Sequence, residues 1–482
     1  MKLSELIEHD HFCTLNDHHN PLIKSVVSDS KKVTPGALFI ALAGAQQHGL
    51  SFLQEAIARG AVAYVAEEVQ EEKSAVAFVK SDDARKSLAR LSKAFYGAAC
   101  ERLDMVGITG TNGKTTTAWM VHYLLKQCGS SAGLMGTIQH HVGHQIIPAK
   151  RTTPEADVLH PYFYEMERQG SKVAVMEVSS HAIELDRVHA IPFDVMCFTN
   201  LSEDHLDFHG TMDQYYQTKR RLFAQSKNEQ SVAIICTDDR WGKKLAGELE
   251  GKVLTYGWHE EAHIRGSDYV QTNEGAHFMV MSPWGDAQVS LSLLGKYHAS
   301  NALGAIAIMA SLGFTWEKLT PMLSTIPLIP GRLEVAHAKD MQKIFVDYAH
   351  THEALAKTLQ TLREQAPGRI GVIFGCGGDR DREKRPMMGR VACKYAEFVI
   401  LTTDNARTED PEDIAREILS GCSSDQQVEI ILDRKEAIYS GIDQLAPTDW
   451  LLVAGKGHET YQHVGDKEIY FDDREVIKGY FQ

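Results

Sequence analysis

The segment MVGITGTNGKTTT, from Met105 to Thr117, combines an apolar run with a glycine-rich loop that ends in Lys-Thr-Thr. A strict Walker A loop, G-x-x-x-x-G-K-[ST], requires glycine five residues before Gly113, where Ile108 stands instead. Gly110 and Gly113 still permit backbone conformations in which successive N–H groups point at phosphate oxygens. The loop is therefore interpreted as a phosphate cradle, with a simple strand-to-helix turn as the alternative.

Two side chains at the end of this loop have the chemistry that a bound nucleotide requires. Lys114 is expected to reach the outer phosphates, and Thr115 is expected to offer its hydroxyl to Mg²⁺. The residues that follow, TTTAWMVHYLLKQCG, have the apolar spacing of a helix. Because a helix N-terminus favours anions, this context supports the phosphate-binding interpretation.

Composition limits the class of protein. A chain of 482 residues is too long for one core and suggests about three domains. The formal net charge of −14 makes a nucleic-acid partner unexpected. The eight cysteines include no C-x-x-C pair, so neither a disulfide framework nor a zinc site is indicated. The acidic start and the lack of a long apolar run predict a reduced, cytoplasmic, soluble protein without membrane insertion.

Short apolar runs that stop at polar clusters recur along the chain, with helical patterns such as HEALAKTLQTLREQ and PEDIAREILSG between them. This alternation predicts an α/β fold with parallel sheets covered on both faces. Ligands of such sheets bind beyond the carboxyl ends of the strands, so the polar clusters are candidate site residues. The runs are KVAVMEVSSH, FDVMCFTNLSEDHLDFHG, SVAIICTDD, KIFVDYAHT, RIGVIFGCGGDRD, FVILTTDNARTED and DWLLVAGKGHE.

Domain boundaries are predicted from breaks in this pattern. The first segment carries its own strand patterns, GALFIALAG and AVAYVAEE, and leads through a helical stretch to the glycine-rich loop. In IPLIPGRLEV two prolines and a glycine interrupt the pattern before a new strand–helix series. The predicted domains are therefore 1–97, 98–331 and 332–482.

Taken in order, the motifs resemble those of the Mur ligases of bacterial cell-wall synthesis. The matching strings are SDSKKVTPGALFIAL, GTNGKTTT, RTTPEA, MEVSSHA, HLDFHG, the lysine of QTKRRLF, DYAHT, GGDRDREKRP, DNAR and GKGHE. The resemblance covers nearly the whole chain. It implies a small N-terminal α/β domain that binds a UDP substrate, a central P-loop-type ATPase domain with a parallel sheet, and a C-terminal Rossmann-like domain that binds an amino acid.

The resemblance also implies an activity. Mur ligases join a carboxylate to an amine: the carboxylate attacks the γ-phosphate of ATP, and the amine then displaces phosphate from the acyl phosphate. Both steps gather negative charge on oxygen, so the protein must supply cations and aimed N–H groups. The implied reaction adds meso-diaminopimelate to UDP-N-acetylmuramoyl-L-alanyl-D-glutamate for peptidoglycan synthesis, with ATP and Mg²⁺, in a monomer.

Three residues gain their roles only from the resemblance. Glu177, by its type a solvated or capping residue at a strand end, matches a Mg²⁺ ligand, and His205 matches a ligand of a second Mg²⁺, although Mg²⁺ prefers oxygen. Lys219 has the sequence context of a solvated helix face, but the family's lysine reacts with CO₂ to form a carbamate that holds Mg²⁺. This reaction requires a neutral amine, and Arg220 and Arg221 are expected to lower the pKa of Lys219.

The remaining matches fall into three groups. The implied ATP contacts are Gly110, Thr111, Asn112, Gly113, Lys114, Thr115, Thr116, Asn301, Arg332, Asp347 and His350. The implied contacts to the UDP-muramoyl-peptide are Ser30, Thr152, Thr153, Ser179 and Arg187. The implied contacts to diaminopimelate are Arg380, Asp404, Asn405, Ala406, Arg407, Gly455 and Glu459.

The segment TTDNARTEDP bears on the choice of amine. Family members that use diaminopimelate usually have D-N-P-R here, and those that use lysine usually lack the arginine. This chain keeps Arg407 and has Ala406 in place of the proline. A guanidinium offers the distal carboxylate of diaminopimelate a charge-assisted partner, so a strong preference for diaminopimelate over lysine is predicted.

Three alternatives stay open. The first is a ligase that uses L-lysine, or a paralogue that acts on a related nucleotide-peptide. The second is folylpolyglutamate synthetase, against which the DSKKVTPGALFIAL domain argues. The third is a non-catalytic nucleotide-binding protein, suggested by departures from the family pattern at Lys31, His352 and Ala406. A working enzyme is favoured because the chemical residues are present, namely Lys114, Thr115, Glu177, His205 and Lys219.

Overall fold

The structure is a computed structural model that describes residues 1–11, 13–15, 19–44, 47–68, 76–465 and 467–482. The described residues form three successive α/β units, each built on its own sheet. Within these ranges, no helix combines the length and the apolar character needed to cross a bilayer. The predicted α/β fold with three domains is confirmed.

The first unit is a five-stranded sheet in the order β1-β5-β4-β3-β2, in which β1 pairs antiparallel with β5 and the other pairs are parallel. Apolar side chains on its two faces pack against the helices. The strands are β1 Cys13–Leu15, β2 Ser25–Val27, β3 Ala37–Ile40, β4 Ala61–Ala66 and β5 Ala77–Ser81, and the helices are α1 Leu3–Ile7, α2 Leu53–Ala58 and α3 Ala84–Phe95.

The central unit has an eleven-stranded sheet in the order β16-β15-β14-β13-β12-β11-β6-β10-β7-β8-β9. Its strands are β6 Asp104–Thr109, β7 Ala132–Met135, β8 Gln139–Val142, β9 Gln145–Pro148, β10 Val173–Glu177, β11 Val195–Phe198, β12 Val232–Cys236, β13 Lys252–Gly257, β14 Ile264–Thr272, β15 Gly275–Ser282 and β16 Gly285–Leu291. Its helices are α4 Lys114–Gln127, α5 Ala156–Arg168, α6 Ser180–Glu184, α7 Leu206–His209, α8 Met212–Arg220, α9 Arg240–Glu248, α10 Lys296–Ser311 and α11 Trp316–Met322.

The sequence pattern predicted parallel sheets, and the middle of the central sheet, from β14 to β7, is parallel. Two antiparallel additions at its edges, β14-β15-β16 and β7-β8-β9, were not predicted. These strands alternate between buried and exposed residues instead of forming continuous apolar runs. Such strands are half solvated, and a search for fully buried runs does not detect them.

The third unit has a six-stranded sheet in the order β17-β18-β22-β19-β20-β21, in which β17 is antiparallel, and a separate hairpin formed by β23 and β24. Helices α12, α13 and α14 cover one face of the sheet, and α15 and α16 cover the other. The strands are β17 Glu334–Lys339, β18 Gln342–Asp347, β19 Ile370–Phe374, β20 Phe398–Leu401, β21 Gln427–Ile430, β22 Trp450–Ala454, β23 Tyr461–Val464 and β24 Lys467–Tyr470, and the helices are α12 His352–Arg363, α13 Lys384–Tyr395, α14 Pro411–Leu419, α15 Arg434–Asp443 and α16 Asp473–Tyr480.

Short polar side chains fix where several of these helices begin. Asp83 accepts a hydrogen bond from the Lys86 N–H at the start of α3, and Thr351 caps α12 in the same way. Asp410 caps α14, whose first residue is proline. Such caps satisfy backbone N–H groups that have no partner inside the helix. The predicted helices HEALAKTLQTLREQ and PEDIAREILSG are confirmed at these positions.

A buried ion pair in the third unit yields a stability prediction. Both side chains are fully buried, and Arg434 donates to the two Asp473 carboxylate oxygens at 2.7 and 2.8 Å. Asp473→Ala leaves the guanidinium buried without its partner, so we expect the free energy of unfolding in urea to fall by about 3–5 kcal/mol. Glu412→Ala, which removes an exposed partner of Arg416, is the control and should change it by less than about 0.5 kcal/mol. Equal effects of the two substitutions would contradict the prediction.

Candidate active site

The glycine-rich loop connects β6 to α4 and depends on its two glycines. The φ angles are +143° at Gly110 and +89° at Gly113, values that other residues rarely adopt. A Cβ atom at Gly110 would lie 1.9 Å from Thr199 Oγ1, and one at Gly113 would lie 2.4 Å from Asn301 Oδ1. Backbone conformation and space therefore both require glycine at these positions.

Two residues at the carboxyl end of β11 hold the loop in place. The backbone N–H groups of Thr111 and Asn112 donate to the carbonyl and to the side-chain oxygen of Asn200, at 2.9 and 3.0 Å. Thr199 Oγ1 donates to the Asn112 carbonyl at 2.6 Å. Sequence analysis did not single out Thr199 or Asn200, although they follow an apolar strand in the same way as the residues it selected.

Two lysine amines converge on one carbonyl oxygen of this loop. Lys114 Nζ donates to the carbonyl of Gly110 at 2.9 Å and to that of Thr111 at 2.8 Å, and Lys219 Nζ donates to Gly110 at 2.8 Å. Neither amine forms an ion pair with a carboxylate in the described part of the chain. Removal from water lowers the pKa of both lysines, and the charge of Lys114 lowers that of Lys219 further. An anion bound at the loop would raise both pKa values, because a nearby negative charge favours the protonated amine.

The structure corrects two expectations for Lys219. Its side chain is only 1% exposed, so it does not lie on a solvated helix face. Arg220 and Arg221 are also not the cause of its lowered pKa, because both form ion pairs with carboxylates at the protein surface. Consecutive helix residues point in different directions, and Lys219 is directed inward while its two neighbours are directed outward.

Thr115 and Glu177 form an oxygen-rich pair beside the loop. The Glu177 carboxylate is fully buried and accepts from Thr115 Oγ1 at 2.8 Å and from the N–H and Oγ1 of Thr137 at 2.7 and 3.0 Å. Within the described ranges, no three His, Cys, Asp or Glu side chains are grouped as a metal site. Mg²⁺ in nucleotide sites is usually held by one or two protein oxygens together with phosphate and water. A hydroxyl and a carboxylate at the loop fit this requirement.

His205 precedes α7 with a φ of +56°. Its Nε2 lies 3.5 Å from a carboxylate oxygen of Asp204, and its ring centroid lies 4.9 Å from that of His181. Desolvation by the surrounding protein holds the pKa of His205 below its usual value, which favours the neutral, ligating form. His205 and Lys219 both lie near Tyr215, whose ring centroid is 6.4 Å from the imidazole centroid and 4.7 Å from Lys219 Nζ.

A cavity of about 300 Å³ opens beside the loop, between the central and third units. Its volume is within the range of small-ligand pockets. Arg332 Nη2 donates to Thr115 Oγ1 at 2.9 Å, and its guanidinium lies 4.7 Å from the centroid of the Tyr348 ring. The predicted nucleotide contacts that line it are Asn112, Gly113, Thr116, Asn301, Arg332, Asp347 and His350.

Asp347 has a structural part in this cavity wall. Its carboxylate accepts from the backbone N–H of Leu333 at 2.6 Å and of Ala349 at 3.0 Å, and burial raises its pKa. It therefore joins the end of β18 to the segment that links the second and third units. The wall also includes Tyr348, and Lys384 donates to the His350 carbonyl at 3.1 Å. Sequence analysis assigned no role to Tyr348 or Lys384, although both lie in quoted motifs.

The residues predicted to bind the UDP-muramoyl-peptide fall into two places. Thr152, Thr153, Ser179 and Arg187 lie together beside Glu177, where Thr153 Oγ1 donates to the Glu177 carbonyl at 2.8 Å. Arg187 is also paired with Glu155 at 2.8 Å. Ser30 lies in the first unit, where its hydroxyl donates to Glu55 at 2.8 Å. A ligand that contacts both places must bridge the first and central units, which meet where Ser28 donates to Asp157 at 2.7 and 2.8 Å.

The residues predicted to bind diaminopimelate lie on loops at the carboxyl ends of β19, β20 and β22. Asn405 Nδ2 donates to Glu459 Oε2 at 2.9 Å, and Lys456 Nζ lies 3.3 Å from the same oxygen. A Cβ atom at Gly455 would lie 2.6 Å from Asp404 Oδ2, so these loops are tightly packed. The loops thereby bring together Asp404, Asn405, Ala406, Arg407, Gly455 and Glu459.

Two arginines in this region lie near each other. Burial lowers the pKa of Arg407, and the positive charge of Arg380 lowers it further. Asp381, the residue after Arg380, lines a small cavity together with Glu203 and Asp204 of the central unit. The loop after β19 therefore faces the central unit.

These features define a class of α/β enzymes in which a second α/β unit faces a glycine-rich loop across a cavity. The chain belongs to the Mur ligase family. Family models match the Mur ligase family catalytic domain at residues 22–96, the Mur ligase middle domain at 108–309, and the Mur ligase glutamate ligase domain at 331–457.

Individual relatives are similar to this chain over nearly its whole length. The chain is 40% identical to UDP-N-acetylmuramoyl-L-alanyl-D-glutamate--2,6-diaminopimelate ligase of Bacillus cereus, over 99% of this chain and 98% of the relative. It is also 40% identical to the ligase of the same name from Geobacillus kaustophilus, over 99% of both chains. A solved structure of a ligase with this name is similar with a TM-score of 0.67 and 32% identity, over 95% of this chain and 96% of that one.

Replacement of the first loop glycine tests the phosphate cradle. Gly110→Ala would force Cβ against Thr199, so we expect at least a ~10²-fold loss of affinity for ADP, because the loop backbone predicted to hold phosphate would be displaced. Gly129→Ala is a matched control, since Gly129 also has a positive φ of +76° but no atom within 4 Å of the added Cβ. Calorimetric titration that finds equal ADP affinity in the two variants would contradict the cradle.

Proposed function

We propose that this protein is an ATP-dependent amide ligase that adds meso-diaminopimelate to UDP-N-acetylmuramoyl-L-alanyl-D-glutamate through an acyl phosphate. The observation that supports the proposal is that Thr115, at the end of the glycine-rich loop, contacts Glu177 on one side and Arg332 on the other, and that His350 of the third unit lines the cavity beside the loop. A carboxylate substrate on one side and an amine on the other would then meet at the γ-phosphate of ATP. The name shared by the full-length relatives supports this assignment.

In this proposal, the loop and its lysines stabilise the negative charge that develops during phosphoryl transfer. Lys114 would leave the Gly110 carbonyl for the β- and γ-phosphates, while loop N–H groups hold the other phosphate oxygens. Arg332 would accompany it, since its guanidinium already reaches Thr115. Mg²⁺, when bound, supplies further charge neutralisation, and Thr115 and Glu177 are the residues that would hold it.

Lys219 is proposed to act as a carbamate. Its amine nitrogen would form a bond to the carbon of CO₂ and release a proton, which requires the uncharged amine. The lowered pKa of the buried side chain supplies that form. The carbamate would offer two oxygen atoms, the type of ligand that Mg²⁺ prefers. Together with His205, the modified Lys219 would then hold a second Mg²⁺. The carbamate would also place a negative charge beside Lys114, where the uncharged amine has none.

The substrate groups follow from the positions of the predicted contacts. Ser30 in the first unit would contact the uridine end, and Thr152, Thr153, Ser179 and Arg187 would hold the peptide end near Glu177. A nucleotide-peptide would then bridge the first and central units. We further propose the domain division 1–97, 98–331 and 332–482, and action as a monomer in the cytoplasm, since one chain carries all three substrate groups.

The amine donor is assigned from Arg407. Its guanidinium donates to the Gly378 carbonyl at 2.6 Å, and burial and the nearby Arg380 both disfavour its charge. The distal carboxylate of diaminopimelate would pair with this guanidinium, whereas lysine would leave it unpaired. Sites built around such a charged group reject the analogue that lacks the partner by roughly 10⁴-fold.

An amide-forming assay tests the donor. With ATP and the UDP-muramoyl-dipeptide, the protein should use diaminopimelate over L-lysine by roughly 10⁴-fold in kcat/KM. Arg407→Ala should lower kcat/KM for diaminopimelate by at least ~10²-fold and change that for lysine far less, because only diaminopimelate loses a charged partner. Arg416→Ala removes an exposed arginine of the same unit and is the control. Equal use of both amino acids by the unmodified protein would sink the assignment and favour the lysine-adding alternative.

Substitution of Lys219 tests the carbamate. Lys219→Ala should lower kcat by at least ~10²-fold, because one charged group at the phosphoryl site is lost. Added acetate should restore part of the activity by occupying the carbamate oxygen positions. With ¹³CO₂, a carbamate resonance should appear in the unmodified protein and in the exposed-residue control Lys243→Ala, but not in Lys219→Ala. Full activity of Lys219→Ala in CO₂-depleted buffer would refute the proposal.

A further inference from the structure

The loops that carry Arg380 and Arg407 hold an unfavourable backbone geometry. Asp379 has a φ of +53° and Arg407 a φ of +52°, in the left-handed region that residues other than glycine rarely adopt. A Cβ atom at Gly377 would lie 3.0 Å from Arg407 Nη1 and 3.8 Å from Arg380 Cγ, so the two arginine side chains flank this glycine. Two like charges in one region separate unless neighbouring groups hold them.

A buried arginine lies behind both loops. Arg385 is in the first turn of α13, and its side chain is 0% exposed. It donates to the two carboxylate oxygens of Glu409 at 2.8 and 2.9 Å, and to Glu417 at 2.7 Å. The contact with Glu409 is therefore bidentate, the geometry with the strongest directional preference among ion pairs.

Glu409 connects the loop that carries Arg407 to the loop that carries Arg380. It lies two residues after Arg407, and its Oε1 also accepts from the backbone N–H of Asp379 at 2.6 Å. Arg385 itself donates to the carbonyl of Gly377 at 3.3 Å. One ion pair thus contacts the backbone beside Arg380 on one loop and the chain beside Arg407 on the other.

Hydrogen bonds between the loop that carries Arg380 and the loop that carries Arg407 fix the two loops relative to each other. The Gly378 N–H donates to the Asn405 carbonyl at 2.9 Å, and Arg407 Nη1 donates to the Gly378 carbonyl at 2.6 Å. Thr408 Oγ1 donates to Asp379 Oδ1 at 2.7 Å. A shift of the first loop would therefore move the guanidinium of Arg407.

We infer that the Arg385–Glu409 ion pair is a positioning device that holds Arg380 and Arg407 in the arrangement needed to select an amine substrate with a second carboxylate. Arg385 is buried behind the loops and acts through them without touching the substrate. The inference rests on the proposed function. It assigns substrate selection to an ion pair outside the set of residues that contact the amino acid.

Glu409→Gln tests the inference, because it keeps the size of the side chain and removes the charge and one of the two acceptors. We expect KM for diaminopimelate to rise ~10–100-fold, as for loss of a partner that orients a ligand-binding group. The KM values for ATP and the UDP-muramoyl-dipeptide, and kcat, should stay within ~3-fold. The preference for diaminopimelate over lysine should fall ~10-fold or more. Glu409→Asp, which keeps the charge, should give an intermediate KM and serves if Glu409→Gln does not fold.

Asp449→Asn is the matched control. Asp449 also pairs with an arginine of the third unit, Arg369, at 2.8 Å and is 3% exposed, but it lies at the opposite ends of the strands. Asp449→Asn should leave unchanged both the KM for diaminopimelate and the preference for diaminopimelate over lysine.

The outcomes separate the inference from the proposed function. An unmodified protein that forms no amide with diaminopimelate would reject the proposed function and the inference with it. An active protein whose KM for diaminopimelate is unaffected by Glu409→Gln and Glu409→Asp would reject the inference alone. Equal losses for diaminopimelate and lysine, or a parallel rise in KM for ATP, would show a merely structural ion pair and also reject it.

Discussion

The convergence of Lys114 and Lys219 on the carbonyl oxygen of Gly110 is the interaction on which the rest of the site depends. Two amines within reach of one carbonyl, without a carboxylate partner in the described residues, form a site that an anion stabilises. The loop can accept this arrangement because glycine permits its backbone conformation and because Thr199 and Asn200 hold it against β11. The parallel sheet is needed to bring these strand ends together.

The third unit also brings basic side chains close together, in this case two arginines. Arg380 and Arg407 are held near each other by backbone and ion-pair contacts, so that they too favour an anionic ligand. In the proposed reaction, phosphate on one side would meet Lys114 and an amino-acid carboxylate on the other would meet the two arginines, all of them in place before the ligands arrive. Preorganised charges of this kind need no rearrangement when negative charge develops, which is the main source of electrostatic catalysis.

Much of this architecture could be predicted from sequence, because buried parallel strands and capped helices have strong local patterns. The residue types of MVGITGTNGKTTT predicted a glycine-dependent loop between a strand and a helix, and the family resemblance supplied the proposed roles of the other residues. The burial of Lys219 could not be predicted, because Lys-Arg-Arg on a helix indicates a solvated face and only the packing of Tyr215 and Gly110 shows otherwise. The antiparallel edges of the central sheet and the Arg385–Glu409 pair depend on contacts between distant segments, which no local pattern records.

In the proposed reaction, an acceptor carboxylate attacks the γ-phosphate of ATP. The most direct test is a reaction with UDP-muramoyl-dipeptide whose acceptor carboxylate carries ¹⁸O, followed by mass spectrometry of the released phosphate. Formation of an acyl phosphate, followed by attack of the amine at carbon, transfers one labelled oxygen to phosphate. Appearance of one ¹⁸O atom in each phosphate is the predicted result. Amide formation with unlabelled phosphate would contradict the account.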